Sequence, residues 1–408
     1  MKSVPLVLAP LSPLSPLALA RPASLPSASA RAREHEHAGA MGAAPLSPSA
    51  VDELSRAEGA TIGSIRDLIP RECFVIEPAR SWGGLAIGVV RLTASMILLS
   101  LVQPAWGVSL LWQIPALAAA WLLAGWAMTG IFVIGHDCGH MAFSERRWVN
   151  EVVGHVCLAV EFTGFHNWRI WHNYHHAKTQ LRAVDPDWPE KMMTRAEYEK
   201  AKLGEKAHVR LGFGTPLGML VGFWVGMFRR TFMKTLARQI PLTRGASREL
   251  LLSSTTMFVS CAALSWLLIR TGGLWMCVKY YYVPAFIAAA HGAMLTYLHH
   301  TSGDALVFDR ADWTPFRGQV VSTFNVRFPR WIEAMWFDIN IHLPHHLAPK
   351  IPWYHLKTAA EAIRASRPEW YQERQFSFAY LVRSWKRPLI ERAEGRDYYQ
   401  MASFDDPR

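Results

Sequence analysis

Four runs of apolar residues in this 408-residue chain are each long enough to cross a lipid bilayer. A membrane-spanning helix needs about 20 mostly apolar residues, and the runs are Gly83–Val102, Val108–Ile134, Leu250–Ile269 and Met276–Leu298. Charged residues make up only 18% of the chain, against roughly 25% in a typical soluble protein. The five cysteines form no CxxC pair, which argues against a disulfide scaffold. The sequence therefore predicts an all-α integral membrane protein.

The lengths of the connections indicate which parts of the chain share one side of the membrane. Residues 103–107 and 270–275 are too few to hold a domain. The N-terminal segment, the loop of residues 135–249 and the tail of residues 299–408 should then lie on one face. That face holds nearly all Lys and Arg, as the cytosolic or stromal side does. We predict four transmembrane helices with a helical cap on this side, and we attribute the net charge of +11 to membrane orientation rather than to nucleic-acid binding.

Two weaker apolar stretches and two charged residues need a separate interpretation within this topology. Val152–Val160 and Leu211–Phe228 are short or glycine-rich, so we interpret them as interfacial or re-entrant helices. Arg91 lies inside the first run and must face protein or reach the membrane surface, because an unpaired charge is costly in lipid. Lys279 lies near the start of the fourth run.

The first fifty residues differ in composition from the rest of the chain. They are rich in Pro, Ala and Ser, carry only two acidic residues, and cannot bury a core. Organelle transit peptides share this composition. We predict a disordered targeting segment over residues 1–50 and one membrane domain over residues 51–408. The alternative is an unstructured tail without a targeting role.

Most of the 17 histidines fall into three boxes and one pair, at spacings that place imidazoles on one face of a helix. They are His136 and His140 in the first box, His172, His175 and His176 in the second, His342, His345 and His346 in the third, and the pair His299 and His300. Pro344, inside the third box, is tolerated in a first helical turn but not deeper. We therefore predict that His342 lies just outside a helix whose first turn holds the other two histidines of that box.

The predicted topology brings these groups to the same face of the membrane. The first two boxes follow the second span, the third box follows the fourth span, and two crossings separate them. Eight or nine convergent imidazoles exceed the four ligands of a structural zinc site, so we expect two metal ions. Neutral imidazole suits iron, zinc, copper and nickel. Nitrogen ligands with open positions fit iron that handles O2.

Other side chains near the boxes have expected supporting or structural roles. The second ring nitrogen of a ligating histidine usually donates to an acceptor, and five candidates lie close in sequence: Asp137, Asp185, Asp187, Asp338 and Asn340. His35, His37, His208 and His355 are expected to be solvated. His155 and His166, between the first two boxes, are expected to be satisfied in the interior, with support of the metal ligands as the alternative. His291, inside the fourth run, should point away from His300.

The sequence around the boxes resembles one known family. The segments are FVIGHDCGH (residues 132–140), WRIWHNYHHAKT (residues 168–179), PRWIE (residues 329–333) and DINIHLPHH (residues 338–346). With the spacing HxxxH, HxxHH and HxxHH between paired spans, they resemble the membrane-bound fatty acid desaturases. Within these they are similar to the plastid and cyanobacterial acyl-lipid Δ12 (omega-6) branch, and Pro344 favours this branch over the omega-3 branch.

The resemblance implies an O2-dependent enzyme that introduces a cis double bond into acyl chains of membrane lipids, with conversion of oleoyl to linoleoyl as the expected reaction. It implies a non-haem di-iron centre whose ligands are His136, His140, His172, His175, His176, His300, His342, His345 and His346. Ferredoxin is the implied electron donor, with cytochrome b5 as the alternative. The implied location is a plastid (chloroplast) membrane, crossed several times, with the endoplasmic reticulum as the alternative.

Three residues depart from the family pattern, namely Asn173, Gln180 and Phe337. They do not change the implied ligands. They do make the residues around the metals, and the regioselectivity, less predictable from the family. We also expect an apolar tunnel for the acyl chain between the spans, lined by Trp121, Trp126 or Tyr297.

Other functions remain open at this stage. One is a di-iron membrane hydroxylase or ketolase, which adds an oxygen atom instead of removing two hydrogens, and another is a desaturase of omega-3 regioselectivity. A third is a multi-pass metal transporter or metal-storage protein. Transporters place polar residues near the bilayer midplane, whereas these boxes lie at the ends of the predicted spans.

Overall fold

The computed structural model describes residues 46–103, 109–187, 192–213, 215, 240–242 and 245–406. Most of the predicted targeting segment, residues 1–50, and most of the stretch Leu211–Phe228 lie outside these residues. The described part is mostly helical, as predicted. Its α-helices in chain order are α1 (Pro48–Ala57), α2 (Ile62–Arg66), α3 (Pro78–Leu101), α4 (Leu110–Gly139), α5 (Arg147–Ala159), α6 (Phe165–Lys178), α7 (Arg195–Lys200), α8 (Leu203–Ala207), α9 (Ala246–Gly272), α10 (Leu274–Cys277), α11 (Val283–His300), α12 (Arg330–Met335), α13 (Leu343–Leu347), α14 (Leu356–Ser366) and α15 (Phe378–Trp385).

Three of the described helices, α3, α4 and α9, are long and apolar enough to cross a membrane by length and composition. They correspond to the first three apolar runs of the sequence. The fourth run is helical from Leu274 to His300, but a π-helical turn, Val278–Tyr282, separates α10 from α11. Helix α11 is therefore only 18 residues long.

Both charged residues of the apolar runs have protein partners. The Arg91 guanidinium donates to the carbonyl oxygen of Ala334 at 2.8 Å. The Lys279 ammonium donates to the carbonyl oxygen of Val102 at 2.7 Å, just beyond the end of α3. Arg91 thus faces protein, one of the two positions expected for it, and neither charge is left unpaired.

Helix α4 is the centre of the helical packing and contacts α3, α5 and α11. A small residue allows the close approach of α4 to α11, since a Cβ atom at Gly125 would collide with Ile287 of α11. The two helices are consequently held side by side. This matters for function because both helices end in histidines.

Two small sheets accompany the helices, so the all-α prediction was incomplete. Strands β1 (Leu306–Val307), β4 (Leu389–Arg392) and β5 (Tyr399–Ala402) form an antiparallel sheet in the order β1-β5-β4, and β2 (Asn325–Arg327) pairs in parallel with β3 (Glu373–Gln375). Strands of two to four residues are too short to show a period-two pattern in the sequence. The β2–β3 pair fixes the position of Asn325, which the third histidine box uses.

A buried ion network ties the start of the described chain to its end. The Arg317 guanidinium donates to both carboxylate oxygens of Asp52, at 2.7 and 2.8 Å, and to Asp397 at 2.8 Å. The side chains of Asp52 and Arg317 are 0% and 4% exposed. Two parallel hydrogen bonds from a planar guanidinium to one carboxylate satisfy both charges, although both groups are buried. Helix α1 is therefore part of the folded domain, and it begins at Pro48, within the last residues assigned to the targeting segment.

Removal of one buried partner should destabilise the protein strongly. We expect Asp52→Asn to cost about 3 kcal/mol or more, because it leaves the Arg317 cation without its buried counter-charge. The measurement is the apparent melting temperature in detergent. Arg147→Met is the control, since the Arg147 side chain is 65% exposed, its partners Glu151 and Glu249 are 31% and 37% exposed, and exposed pairs contribute only about 0–1 kcal/mol. Equal shifts for the two variants would contradict a structural role for the buried pair.

Candidate metal centre

The first two boxes lie on two helices whose ends meet. His136 is in the last turn of α4 and His140 caps that helix, with ring centroids 4.7 Å apart. The second box occupies the last two turns of α6. On the same helix, Trp168 stacks on His172 with centroids 4.4 Å apart and covers one side of the imidazole.

The third box has the local structure predicted from Pro344. His342 is the N-cap of α13, and Pro344 lies in the first turn. The side chain of His342 makes no capping hydrogen bond. Instead, Asn325 Oδ1 accepts from the backbone N–H groups of His342 and Leu343 at 2.8 and 2.9 Å. The sequence did not point to Asn325, because only the fold brings this residue next to α13.

The nine predicted ligands come together as two neighbouring groups of imidazoles. In the first group, ring nitrogens of four residues all lie within 4.8 Å of one another: His136, His140, His172 and His345. In the second group the same holds for His175, His300 and His346.

The two remaining predicted ligands extend these groups. His176 Nε2 lies 3.1 Å from the Nε2 atoms of both His172 and His345, which places it in the first group. His342 Nε2 lies 2.9 Å from that of His300 and 3.0 Å from that of His346, which places it in the second. The groups adjoin, since the His176 and His346 rings stack at 4.1 Å.

The other described histidines lie outside both groups. His299 stacks on the His342 ring at 4.0 Å, although it belongs to neither group. His291 accepts from the indole N–H of Trp126, and His155 pairs with Ser253 at 2.8 Å. His355, expected in solvent, is instead buried and pairs with Glu77 at 3.1 Å, because the turn before α14 packs it against the start of α3.

Among the described residues, two of the five expected acceptors are found beside a box histidine. Asp185 Oδ1 lies 2.8 Å from His175 Nδ1, and Asp137 Oδ1 lies 3.4 Å from His136 Nδ1. Asp338 instead pairs with Lys357 at 2.7 Å.

The remaining two expected acceptors donate hydrogen bonds, to carboxylate groups and to a backbone carbonyl. Asp187 donates its backbone N–H to Asp185, and Asn340 donates to Glu333 and to the backbone of Val326. Thr179, which was not anticipated, lies 3.3 Å from His346 Nδ1. The sequence feature that could have indicated this contact is that Thr179 follows His175 and His176 by one helical turn.

The box histidines are buried, which favours the neutral form of imidazole. Burial lowers the pKa of His172, His176 and His345 well below the usual value of imidazole, and neighbouring imidazoles lower it further. Protons therefore do not compete for these nitrogens near neutral pH. Neutral imidazole is the form that binds metals.

The geometry of the nitrogens fits a metal site. Neighbouring Nε2 atoms of the array lie 2.9–3.3 Å apart, as do adjacent ligands around an ion with metal–nitrogen distances of about 2.1 Å. His140 Nε2 is buried without a hydrogen-bond partner among the described residues. A neutral imidazole has one N–H group and one lone pair, so the converging lone pairs of the array are best satisfied by cations.

The three departures from the family pattern are accommodated without loss of a ligand. Gln180 is fully buried in a left-handed conformation (φ 62°) and donates to the carbonyl oxygen of His300. The Asn173 side chain hydrogen-bonds to the ring of His140. Phe337 packs against Trp353 with centroids 4.7 Å apart.

A predominantly apolar cavity reaches the imidazoles. Its lining residues come mainly from α4, α6, α11 and the turn before α6: Thr129, Phe132, Val133, His136, Glu161, Phe162, Thr163, Trp168, Trp171, His172, Ala288, Ala289, Gly292, Leu295, Thr296, His299, Ile339 and His342. The expectation that Trp121, Trp126 or Tyr297 lines it was wrong. These side chains bond elsewhere, to the carbonyl of Lys279, to His291 and to the carbonyl of Ser384.

Loss of the Asp185 carboxylate should weaken metal binding without unfolding the protein. Asp185→Asn removes the charge that orients His175, and such changes typically reduce metal affinity about 10–100-fold. The measurement is iron retained by purified protein against a graded chelator. Asp304→Asn, at a carboxylate that is 51% exposed, is the matched control. Equal retention by the two variants would argue against a supporting role for Asp185.

Comparison with known proteins agrees with the site. The sequence matches the family model described as Fatty acid desaturase over residues 112–378. The sn-1 oleoyl-lipid 12-desaturase of Synechocystis sp. is 31% identical over 314 residues, which covers 76% of this chain and 83% of that protein. The chloroplastic omega-6 fatty acid desaturase of Glycine max is 27% identical, with 78% and 70% covered. The sn-1 acyl-lipid omega-3 desaturase (ferredoxin) of Nostoc sp. is 28% identical, with 77% and 83% covered.

The matched region covers well over half of the chain and includes every histidine of the two groups. The resemblance inferred from the boxes and their flanking residues is thereby confirmed. The chain belongs to the fatty acid desaturase family.

Proposed function

We propose that the protein is an acyl-lipid Δ12 (omega-6) desaturase that converts oleoyl chains of membrane glycerolipids to linoleoyl chains. The observation that carries the proposal is the meeting of an apolar cavity with two groups of neutral imidazoles. The family supplies the reaction class, and relatives named as oleoyl-lipid 12-desaturases and omega-6 desaturases support the substrate and the position of the new bond.

Two iron ions are the proposed cofactors. The first is assigned to the group of His136, His140, His172, His176 and His345, and the second to the group of His175, His300, His342 and His346. Bound iron supplies the O2-dependent oxidising power that removal of hydrogen from an unactivated methylene requires. Imidazole donors are suited to this metal.

The chain's own residues hold the ligands and the substrate in place. Asp185 orients His175, Thr179 contacts His346, and Trp168 fixes the plane of His172. The apolar cavity wall excludes water from the reacting chain. A pocket distinguishes single methylenes by only about 1–3 kcal/mol, so the position of the new double bond must depend on how the whole chain is inserted.

The proposed topology has four membrane crossings and one cap. Helices α3, α4 and α9 supply three crossings, and the helical run from Leu274 to His300 is proposed as the fourth. All histidine boxes then lie at the cap side. The proposed domain division is a targeting segment that ends before α1 begins at Pro48, followed by the desaturase domain.

The electron donor and the membrane are proposed from the relatives. A relative named as a ferredoxin-dependent desaturase supports reduced ferredoxin as the donor, with cytochrome b5 as the alternative. Chloroplastic omega-6 relatives support a plastid membrane, with the endoplasmic reticulum as the alternative. The transit-like composition of residues 1–50 agrees with a plastid location.

Expression in a host that makes only saturated and monoenoic acyl chains tests the reaction. We expect new dienes with the second double bond at position 12, located by mass spectrometry. His172→Ala should abolish the dienes while the protein still enters the membrane, because a central member of the first imidazole group is lost. His208→Ala, at a half-buried histidine outside both groups, is the control. Hydroxylated chains would instead identify a hydroxylase, and dienes formed by His172→Ala would refute the ligand assignment.

Labelling of introduced cysteines tests the topology. Glu145→Cys and Asp304→Cys should react with an impermeant reagent from the same side of the membrane, and Thr271→Cys from the opposite side. All three positions are exposed, whereas the five natural cysteines are buried, which keeps the background low. Reaction of the first two positions from opposite sides would rule out four crossings.

A further inference from the structure

The nine imidazoles of the two groups are at most 6% exposed, so a protein that supplies electrons cannot contact them directly. Removal of two hydrogens from an acyl chain, with reduction of O2 to two water molecules, needs two electrons and two protons from outside the substrate. The protons come from water, whereas the electrons must cross the residues between the imidazoles and the surface. Because electron tunnelling weakens steeply with distance, the donor should bind where this layer is thin.

Helix α6 separates the substrate cavity from the outer surface of the protein. Trp168, Trp171 and His172 line the cavity. With about 3.6 residues per turn, Asn173 and Ala177 lie on the opposite side of the helix, and both are exposed. The second box is therefore only one helix away from the surface, on the side that the cavity does not occupy.

One residue of this surface contacts the first imidazole group directly. The side chain of the exposed Asn173 hydrogen-bonds to the ring of His140. His140 Nε2 has no hydrogen-bond partner among the described residues, so the contact is made by the other ring nitrogen. The surface is thus a single hydrogen bond away from a ligand of the first group.

A longer route leads from the same surface to the second imidazole group. The indole N–H of Trp313, which is partly exposed, donates to the carbonyl oxygen of Thr179 at 2.8 Å. Thr179 Oγ1 lies 3.3 Å from His346 Nδ1. Covalent and hydrogen bonds connect this path from the surface to the ligand, and electrons tunnel more readily along connected bonds than across gaps.

The charge beside Trp313 indicates the kind of donor. The Lys178 ammonium lies 5.5 Å from the centre of the Trp313 ring, within the range of a cation–π contact. Asp309 and Asp312, in the turn before Trp313, pair with Arg392 at 3.4 and 3.5 Å. Lys178 itself pairs with no carboxylate among the described residues. Its charge can therefore attract a negatively charged partner, since complementary charge steers association.

We propose that Asn173, Ala177, Lys178 and Trp313 form the docking surface for a negatively charged iron–sulfur carrier of the ferredoxin kind, and that electrons enter through Trp313 and Thr179. This inference rests on the proposed desaturase function. Each reduced carrier gives up one electron and is itself oxidised, so two carriers dock in turn for each double bond formed. A surface this small suits such brief contacts, because electron-transfer complexes bury less than about 1,200 Å².

Lys178→Glu tests the docking surface. Ferredoxin should bind the purified, iron-loaded protein about three- to tenfold more weakly at low salt, because a like charge then faces it. The difference should disappear at about 1 M salt, where charges are screened beyond about 3 Å. Lys386→Glu, at an exposed lysine that caps the end of α15, changes the net charge equally and is the matched control. Equal affinities of the two variants at low salt, or a loss that persists at high salt, would overturn the docking surface.

Trp313→Phe tests the route of the electrons. The change keeps an aromatic ring but removes the N–H group that bonds to Thr179. Oxidation of reduced ferredoxin, followed through its own absorbance without O2, should reach a lower maximal rate per bound iron, while the affinity for ferredoxin is unchanged. Trp331→Phe, at a tryptophan that is 56% exposed, is the control. An unchanged maximal rate for Trp313→Phe would overturn the route.

The unaltered protein separates this inference from the proposed function. If dienes form in the host but ferredoxin does not bind the purified protein, the docking proposal is overturned and the desaturase assignment stands. If no dienes form, the proposed function itself is overturned.

Discussion

The convergence of imidazole nitrogens in the buried interior is the constraint on which the rest of the structure depends. Nitrogens of the array lie 2.9–3.3 Å apart, on four separate helices. Burial lowers the pKa of His172 and His176 well below the usual value of imidazole, so these rings stay neutral and offer lone pairs. Such an arrangement favours metal binding, and the fold holds the histidine-bearing helix ends together.

Several features of the fold supply that support. Glycine at position 125 lets α4 and α11 approach closely, which aligns two helix ends that carry histidines. Asn325 caps α13 from a neighbouring strand, and Asp185 fixes the ring of His175. The buried network around Arg317 joins α1 to the C-terminal part of the chain. These contacts are polar and specific, so they define geometry as well as stability.

The same arrangement places an apolar cavity directly beside the imidazoles. Its wall combines aromatic and small aliphatic side chains with the carboxyl group of Glu161. An acyl chain in this cavity would be held mainly by apolar contact, and successive methylenes differ little in the free energy of such contacts. The position of the new double bond must then depend on how the whole chain is inserted.

The sequence by itself determined the long apolar helices, the boxes and the family, because length, helical spacing and local motifs are written in consecutive residues. It also predicted the local structure around Pro344, since proline restricts its own backbone. Only the tertiary structure decided the division of nine imidazoles into two groups, the burial of His355, and the roles of Asn325 and Thr179. Those roles depend on contacts between distant segments, and no local pattern encodes which side chains will meet across a packed interior.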